Sequence, residues 1–178
     1  MRFLGELQDR LEPGSSAADL GCGAGVPCTA ALAREHSVLG IDISAEQLRR
    51  ARQNVPDADF RKADFSVVHL PVGSVDAVTA FYSLTHVPRA EHGELFLRIA
   101  TWLRPGGYVL ATLSARGETN GMQDDFIGVP MYFSSYGPET NRQLLKEASF
   151  DIVLDEVVDM QEPSGRASFH WLLGCKRP

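Results

Sequence analysis

Short apolar runs alternate with amphipathic stretches along most of the chain. Residues 17–20, 38–42, 75–80 and 108–113 are strand-length apolar runs, and the stretches between them repeat their apolar positions at helical spacing. Leu95, Ile99 and Trp102 fall on one face of a helix predicted over residues 89–102. Ser44 is placed to cap a helix through residue 51, and Pro27 sits in the first turn of a helix reaching about residue 34. An opening helix over residues 3–11 stops at Pro13-Gly14. His92, in the polar start of the helix over 89–102, is expected to be solvated. Strands alternating with helices predict an α/β fold with a mostly parallel sheet.

The rhythm changes towards the C-terminus. A helix is predicted over residues 138–148, a strand over 151–158, a turn containing Pro163-Ser164-Gly165, and a strand over 168–175. Two strands joined by so short a turn pair antiparallel. Residues 114–137 are too long for an ordinary connection and too rich in Gly, Asp and Asn for a regular element. Phe126, Ile127, Met131, Tyr132, Phe133 and Tyr136 argue against disorder, because so many apolar groups need something to cover. This segment follows the carboxyl end of a strand, where open α/β sheets hold their ligands. The reading is a substrate-covering lid lined by Phe126, Met131 and Tyr132, with a purely structural flap as the alternative.

At 178 residues and 44% hydrophobic content, the chain is sized for one core. It divides into a short N-terminal helix (1–14), a core (15–113), the covering segment (114–137), and a helix with a C-terminal hairpin (138–178). A net charge of −6 lacks the basic footprint of a nucleic-acid binder. The apolar stretches are too short and interrupted for a membrane span, and Met1-Arg2-Phe3 opens no signal peptide. The expectation is a cytoplasmic protein with no nucleic-acid and no membrane partner. Cys22, Cys28 and Cys175 lack paired spacing, which disfavours a disulfide framework or a zinc site. Cys22 is read as a small residue in a crowded turn rather than a reactive thiol, and no metal is called for.

The chemistry concentrates in Ala17-Ala18-Asp19-Leu20-Gly21-Cys22-Gly23-Ala24-Gly25. Glycines at every second position let the backbone turn tightly and approach a ligand closely at a helix start. A second strand ends in Asp42, an acid placed to accept ribose hydroxyls from the same crevice. The dinucleotide fingerprint needs a third glycine where this chain has Val26.

On these residues the sequence resembles the class I S-adenosylmethionine-dependent methyltransferases, from about residue 17 to the C-terminus. The glycine run looks like the family's first motif, Gly40-Ile41-Asp42-Ile43-Ser44 like its ribose-binding loop, and Lys62-Ala63-Asp64-Phe65 like its adenine-binding segment. Ala80-Phe81-Tyr82-Ser83-Leu84-Thr85-His86 and Leu103-Arg104-Pro105-Gly106-Gly107 match the regions after the fourth strand and before the fifth. The resemblance implies a Rossmann-like seven-stranded sheet of order 3-2-1-4-5-7-6 with strand 7 antiparallel, flanked by helices. It implies S-adenosyl-L-methionine as cofactor, contacted by Asp19, Gly21, Cys22, Gly23, Asp42, Ile43, Ala63, Asp64, Phe65 and Phe81. Asp19 and the Gly21 carbonyl would face the methionine amine, Asp42 the ribose, Ile43 the adenine face, and Asp64 with the Phe65 N–H the adenine edge. The opening helix is short for the family, which leaves the site open or completed by a second subunit in a homodimer.

Methyl transfer is an in-line displacement with an activated leaving group, so positioning and desolvation do much of the work and a base serves only a protonated acceptor. His86 and Tyr82 are the catalytic candidates, His86 as general base or as pocket wall. The Asn/Asp-Pro-Pro-aromatic sequence of amine-directed relatives is replaced here by Phe81-Tyr82-Ser83-Leu84, and no acid lies between Ala77 and Arg89 to hold a metal. A small-molecule acceptor remains, with oxygen, nitrogen and carbon all open. The rival readings are a nucleotide-dependent oxidoreductase, disfavoured by Val26 and by Arg104-Pro105-Gly106-Gly107, and a cofactor-binding or cyclase-like protein on the same fold.

Overall fold

The computed structural model describes residues 2–126, 128–162 and 165–178. Helix α1 (Arg2–Gln8) is followed by β1 (Ser16–Leu20), α2 (Cys28–Leu32), β2 (Ser37–Asp42), α3 (Ala45–Asn54), β3 (Asp59–Lys62) and β4 (Val75–Ala80). Then come α4 (His92–Trp102), β5 (Leu103–Ser114), β6 (Thr119–Phe126), β7 (Val129–Ser135), α5 (Pro138–Glu147), β8 (Phe150–Glu162) and β9 (Gly165–Lys176). Seven strands form one sheet in the order β3-β2-β1-β4-β5-β9-β8. All neighbours from β3 to β5 pair parallel, and β9 runs antiparallel to both β5 and β8. With β8 and β9 as the sixth and seventh strands of the sheet, this is the topology the resemblance implied. Among the described residues no helix is long and apolar enough to cross a membrane.

The sheet is covered on both faces, which explains its near-continuous apolar strands. Neighbouring residues alternate between two clusters: Ala17 against Ala18, Ala77 against Val78, and Trp171 against Leu172. Phe3, Leu4 and Leu7 of α1 and Leu32 of α2 cover one face. Leu95, Phe96, Ile99 and Trp102 of α4 and Leu145 of α5 cover the other. Ser44 caps α3 by accepting from the Gln47 N–H at 3.2 Å.

Four sequence expectations change. Helix α1 stops at Gln8 and α2 at Leu32, each short of its apolar pattern, and a 3-10 turn over Arg89–Glu91 precedes α4. Strands β8 and β9 are longer than their apolar cores, because pairing continues through polar residues as far as Glu162 and Gly165; Pro163 and Ser164 lie outside the described residues. His92 is not solvated but 1% exposed. Finally, residues 114–137 are not irregular: β6 and β7 form a separate antiparallel hairpin, with Gly121 opposite Phe133 and Thr119 opposite Ser135. Gly128 at its turn has φ +85°, and its N–H donates to Asp125 Oδ1 at 2.9 Å. The Gly, Asp and Asn content that argued against a strand supplies that turn and the exposed face of β6. Ile127 lies outside the described residues.

Candidate active site

The turn after β1 contains three residues of positive φ: Gly21 (71°), Gly23 (54°) and Gly25 (78°). A Cβ on Gly21 would stand 2.4 Å from the Ser83 Cβ, whereas one on Gly23 would meet nothing within 4 Å. Gly21 therefore admits the β4 loop, and Gly23 borders open space. The turn is tied to the end of β2. The Gly21 and Cys22 N–H groups donate to the Ile41 carbonyl at 2.8 and 3.1 Å. Asp42 accepts from the Gly23 N–H at 2.9 Å and from the Ser44 N–H at 2.8 Å, one on each carboxylate oxygen.

A cavity of about 540 Å³ lies against this turn. Asp19, Gly21, Cys22, Gly23 and Phe81 are on its wall, opposite Phe3 of α1 and Trp171 of β9. Phe3 stacks on Trp171 with ring centroids 4.3 Å apart, and Phe81 meets Trp171 edge-on at 5.1 Å. Asp19 is buried and accepts from the Thr29 hydroxyl at 2.6 Å and the Thr79 hydroxyl at 2.8 Å. Burial raises its pKa despite these bonds. It braces β1 to α2 and β4 from beneath the cavity. Burial also pushes the Cys22 thiol up to about 12, so this cysteine is not a thiolate near neutral pH. Its small side chain belongs there because Sγ would lie 2.9 Å from a Cβ on Gly40.

Ile43, Ala63, Asp64 and Phe65 follow beyond this cavity at the carboxyl ends of β2 and β3. The Ala63 N–H donates to the Asp42 carbonyl at 3.1 Å, which keeps the two strand ends together. Ile43 is 67% exposed. Asp64 is exposed and accepts from the Ser66 N–H at 2.8 Å, while Phe65 packs partly into the core.

A second cavity of about 780 Å³ lies between the β4 loop, the β6–β7 hairpin and β9. Tyr82 lines both cavities, so it stands where they meet. Its backbone has φ +57°, a conformation that costs a residue with a Cβ about 1–3 kcal/mol. The ring sits edge-on to Phe169 at 4.8 Å and to Trp171 at 5.9 Å. His86 also lines the second cavity. Its Nδ1 lies 2.9 Å from the Tyr132 carbonyl, an acceptor, so Nδ1 carries the proton and Nε2 keeps its lone pair in the neutral ring.

Phe126 lines this cavity, but Tyr132 and Met131 are not among the described residues on its wall. Strand alternation explains Tyr132: Phe133 and Ser135 face the cavity, so Tyr132 faces the other way, where its hydroxyl donates to Asn120 Oδ1 at 2.6 Å. Met131 shares the side of Phe133 and Ser135 but lies nearer the hairpin turn. The sequence reading also placed His92 in solvent, away from the site. Its Nε2 lies 3.0 Å from the Leu84 carbonyl and 3.1 Å from the Val87 carbonyl, so an Nε2–H is shared between them and holds the loop that carries His86. The signal was present, because His92, Leu95, Phe96 and Ile99 share one helix face. Trp171 and Phe169 were legible only as strand residues, since nothing local tells which cavity a β9 side chain closes.

The sequence model of the methyltransferase domain family matches residues 17–107. A trans-aconitate 2-methyltransferase of Azoarcus sp. is 34% identical over 99 residues, covering 54% of this chain and 38% of that protein. A 2-methyl-6-phytyl-1,4-hydroquinone methyltransferase of Synechocystis sp. is 33% identical over 108 residues, covering 57% and 33%. The chain thus spans little more than a third of the length of these curated relatives. A SAM-dependent methyltransferase structure from Methanosarcina mazei superposes with a TM-score of 0.84 at 18% identity, covering 97% of both chains.

Proposed function

Because the chain belongs to the methyltransferase domain family, we propose that it transfers a methyl group from S-adenosylmethionine to a small organic acceptor bound in the second cavity. The observation that carries this reading is the pair of cavities meeting at Tyr82, one against the glycine turn and one against His86. Such a transfer needs donor and acceptor brought into line with water excluded.

The residues present fit the cofactor. The turn is open at Gly23, an acid stands at the end of β2, and an exposed isoleucine follows it. On this reading Asp42 accepts from the ribose hydroxyls with its remaining lone pairs, Ile43 covers one adenine face, and Asp64 and the Phe65 N–H hold the adenine edge with Ala63 beside them. Asp19, fixed by Thr29 and Thr79, faces the methionine amine from below, with Gly21, Cys22, Gly23 and Phe81 as the wall. When bound, S-adenosylmethionine supplies a methyl group activated on a cationic sulfonium. Tyr82 shapes the passage between the cavities. His86, with Nδ1–H fixed on the Tyr132 carbonyl, presents Nε2 as the base for a protonated acceptor. The hairpin covers the acceptor through Phe126 and Phe133. Acceptors named for the relatives, trans-aconitate and a hydroquinone, support a small organic molecule, and a net charge of −6 supports the exclusion of nucleic acid.

The test is to incubate purified protein with S-adenosylmethionine and a panel of phenols, carboxylic acids and amines, following S-adenosylhomocysteine. Product with at least one acceptor is expected. Absence of any thermal shift with either cofactor form at millimolar concentration overturns the cofactor assignment. Tight cofactor binding without product from any acceptor overturns methyl transfer and leaves a cofactor-binding or cyclase-like protein.

A further inference from the structure

The second cavity is aromatic and carries one cation. Tyr82, Phe126, Phe133 and Phe169 supply its rings, with Phe126 and Phe133 in edge contact at 5.0 Å. Arg116 is the charged residue on its wall, and no aspartate or glutamate is among the described residues there. This is unusual in a chain of net charge −6. The neighbouring acids have nearer partners than Arg116. Glu118 pairs with Arg89 at 3.0 Å, and Asp159 is held by Arg166 and the Ser168 hydroxyl, each at 2.5 Å. Among the described residues Arg116 forms no ion pair, and its N–H donates to Ser114 Oγ at 3.3 Å. Asp159 feels its charge without forming an ion pair with it, so the guanidinium lines the cavity beside edge-packed rings with no carboxylate in direct contact. A carboxylate on a flat aromatic body would give that guanidinium a direct partner on the cavity side, which an uncharged acceptor would not.

We propose that the acceptor class is an aromatic acid, its ring held among Phe126, Phe133 and Phe169 and its carboxylate on Arg116. This rests on the methyltransferase reading only for the word acceptor, because the binding argument is independent of transfer. The volume of about 780 Å³ suits a one- or two-ring acid. His86 enters from the β4 side and Arg116 from the end of β5, so a hydroxyl and a carboxylate on one ring have separate partners.

The experiment measures, by calorimetry with saturating S-adenosylhomocysteine, the affinity of two matched pairs: para-hydroxycinnamic acid with para-hydroxycinnamyl alcohol, and a hydroxynaphthoic acid with its alcohol. Arg116 is exposed, which limits a single ion pair to about 1 kcal/mol, or about fivefold. At least one acid is expected to bind about fivefold more tightly than its alcohol. Arg116→Gln should erase that preference by weakening the acid alone, and Arg116→Lys should restore part of it. Equal binding of both acids and alcohols, no binding of either acid, or equal loss for both members of a pair in Arg116→Gln overturns the proposal. Arg116-dependent binding of the acid without S-adenosylhomocysteine formation in a parallel assay supports the ligand class while overturning methyl transfer, so the two failures are distinguishable.

Discussion

Asp42 and Asp64 end neighbouring strands, yet their carboxylates are set differently. Asp42 is half-buried and fastens the glycine turn through Gly23 and Ser44, whereas Asp64 is exposed and its carboxylate accepts from the Ser66 N–H within its own turn. Replacing Asp42 by Ala removes the proposed ribose acceptor and loosens the turn together, and charge-assisted bonds contribute about 1.5–3 kcal/mol each where water is excluded. Asp42→Ala is expected to weaken S-adenosylhomocysteine binding about tenfold or more, and Asp64→Ala by less, as calorimetry would show; equal affinity of Asp42→Ala and the native protein removes Asp42 from the site. Cys22 and Cys28 are both buried, and burial raises both thiols. Treatment with iodoacetamide at neutral pH should therefore modify Cys175 first and leave Cys22 and Cys28 intact until unfolding, as peptide mass spectrometry would show. These residues were legible because a strand-end acid and a glycine turn are written in consecutive positions. His92 was misread from its polar neighbours Glu91 and Glu94, although its spacing to Leu95, Phe96 and Ile99 assigns it to the buried stripe.

At the scale of elements, the β6–β7 hairpin departs most from its sequence. Turn-forming residues spread along β6 hid a pairing that depends on a partner strand whose residues lie up to 16 positions away. What anchors it is also non-local: the Arg89 N–H donates to Ser134 Oγ at 2.8 Å, His86 bonds the Tyr132 carbonyl, and Arg89 lies over the Tyr136 ring at 5.3 Å. All three contacts come from the segment between β4 and α4, so the element that covers the second cavity is fixed to the one that presents His86. The alternation of β7 decides which residues matter. Phe133→Ala should lower kcat/KM for the acceptor about fivefold or more, since it removes a ring in contact with both Phe126 and His86. Cofactor affinity should stay unchanged. Tyr132→Ala keeps the main-chain carbonyl and should have the smaller effect on turnover. Steady-state kinetics on both variants checks the order, and a larger loss from Tyr132→Ala would reverse the facing assigned to the strand.

For the whole molecule, the strand–helix alternation and the final hairpin were legible because they act locally, whereas the strand order came from the family resemblance rather than from the pattern. The polar interior was not legible, because it is assembled across elements. His170, fully buried, lies 2.8 Å from the exposed Asp155, which also binds Arg142, so α5, β8 and β9 share one polar network running from the interior to the surface. His92 joins α4 to the β4 loop in the same manner. Burial lowers the pKa of both histidines below the ordinary 6.5, with Asp155 partly opposing this at His170 and carbonyl bonds opposing it at His92. Between pH 6.5 and each lowered folded value, the unfolded chain takes up a proton that the fold refuses. Stability is fully present above 6.5 and lost as pH falls through that window, at about 1.4 kcal/mol per pH unit for each fully linked proton. Asp19 acts in the opposite direction, because its raised pKa lets the fold bind a proton first. Asp155, lowered chiefly by Arg142, loses its contribution only as pH falls below about 4. The native slope therefore mixes signs, and a variant isolates one histidine. His92→Gln keeps a side-chain N–H donor for the Leu84 and Val87 carbonyls but cannot be protonated. It should be less stable than the native protein at pH 7.5, and the gap should narrow by up to about 1.4 kcal/mol per unit as pH falls from 6.5 to 5. Urea unfolding across that range measures it, and a gap independent of pH would mean that His92 is protonated equally in the folded and unfolded chains.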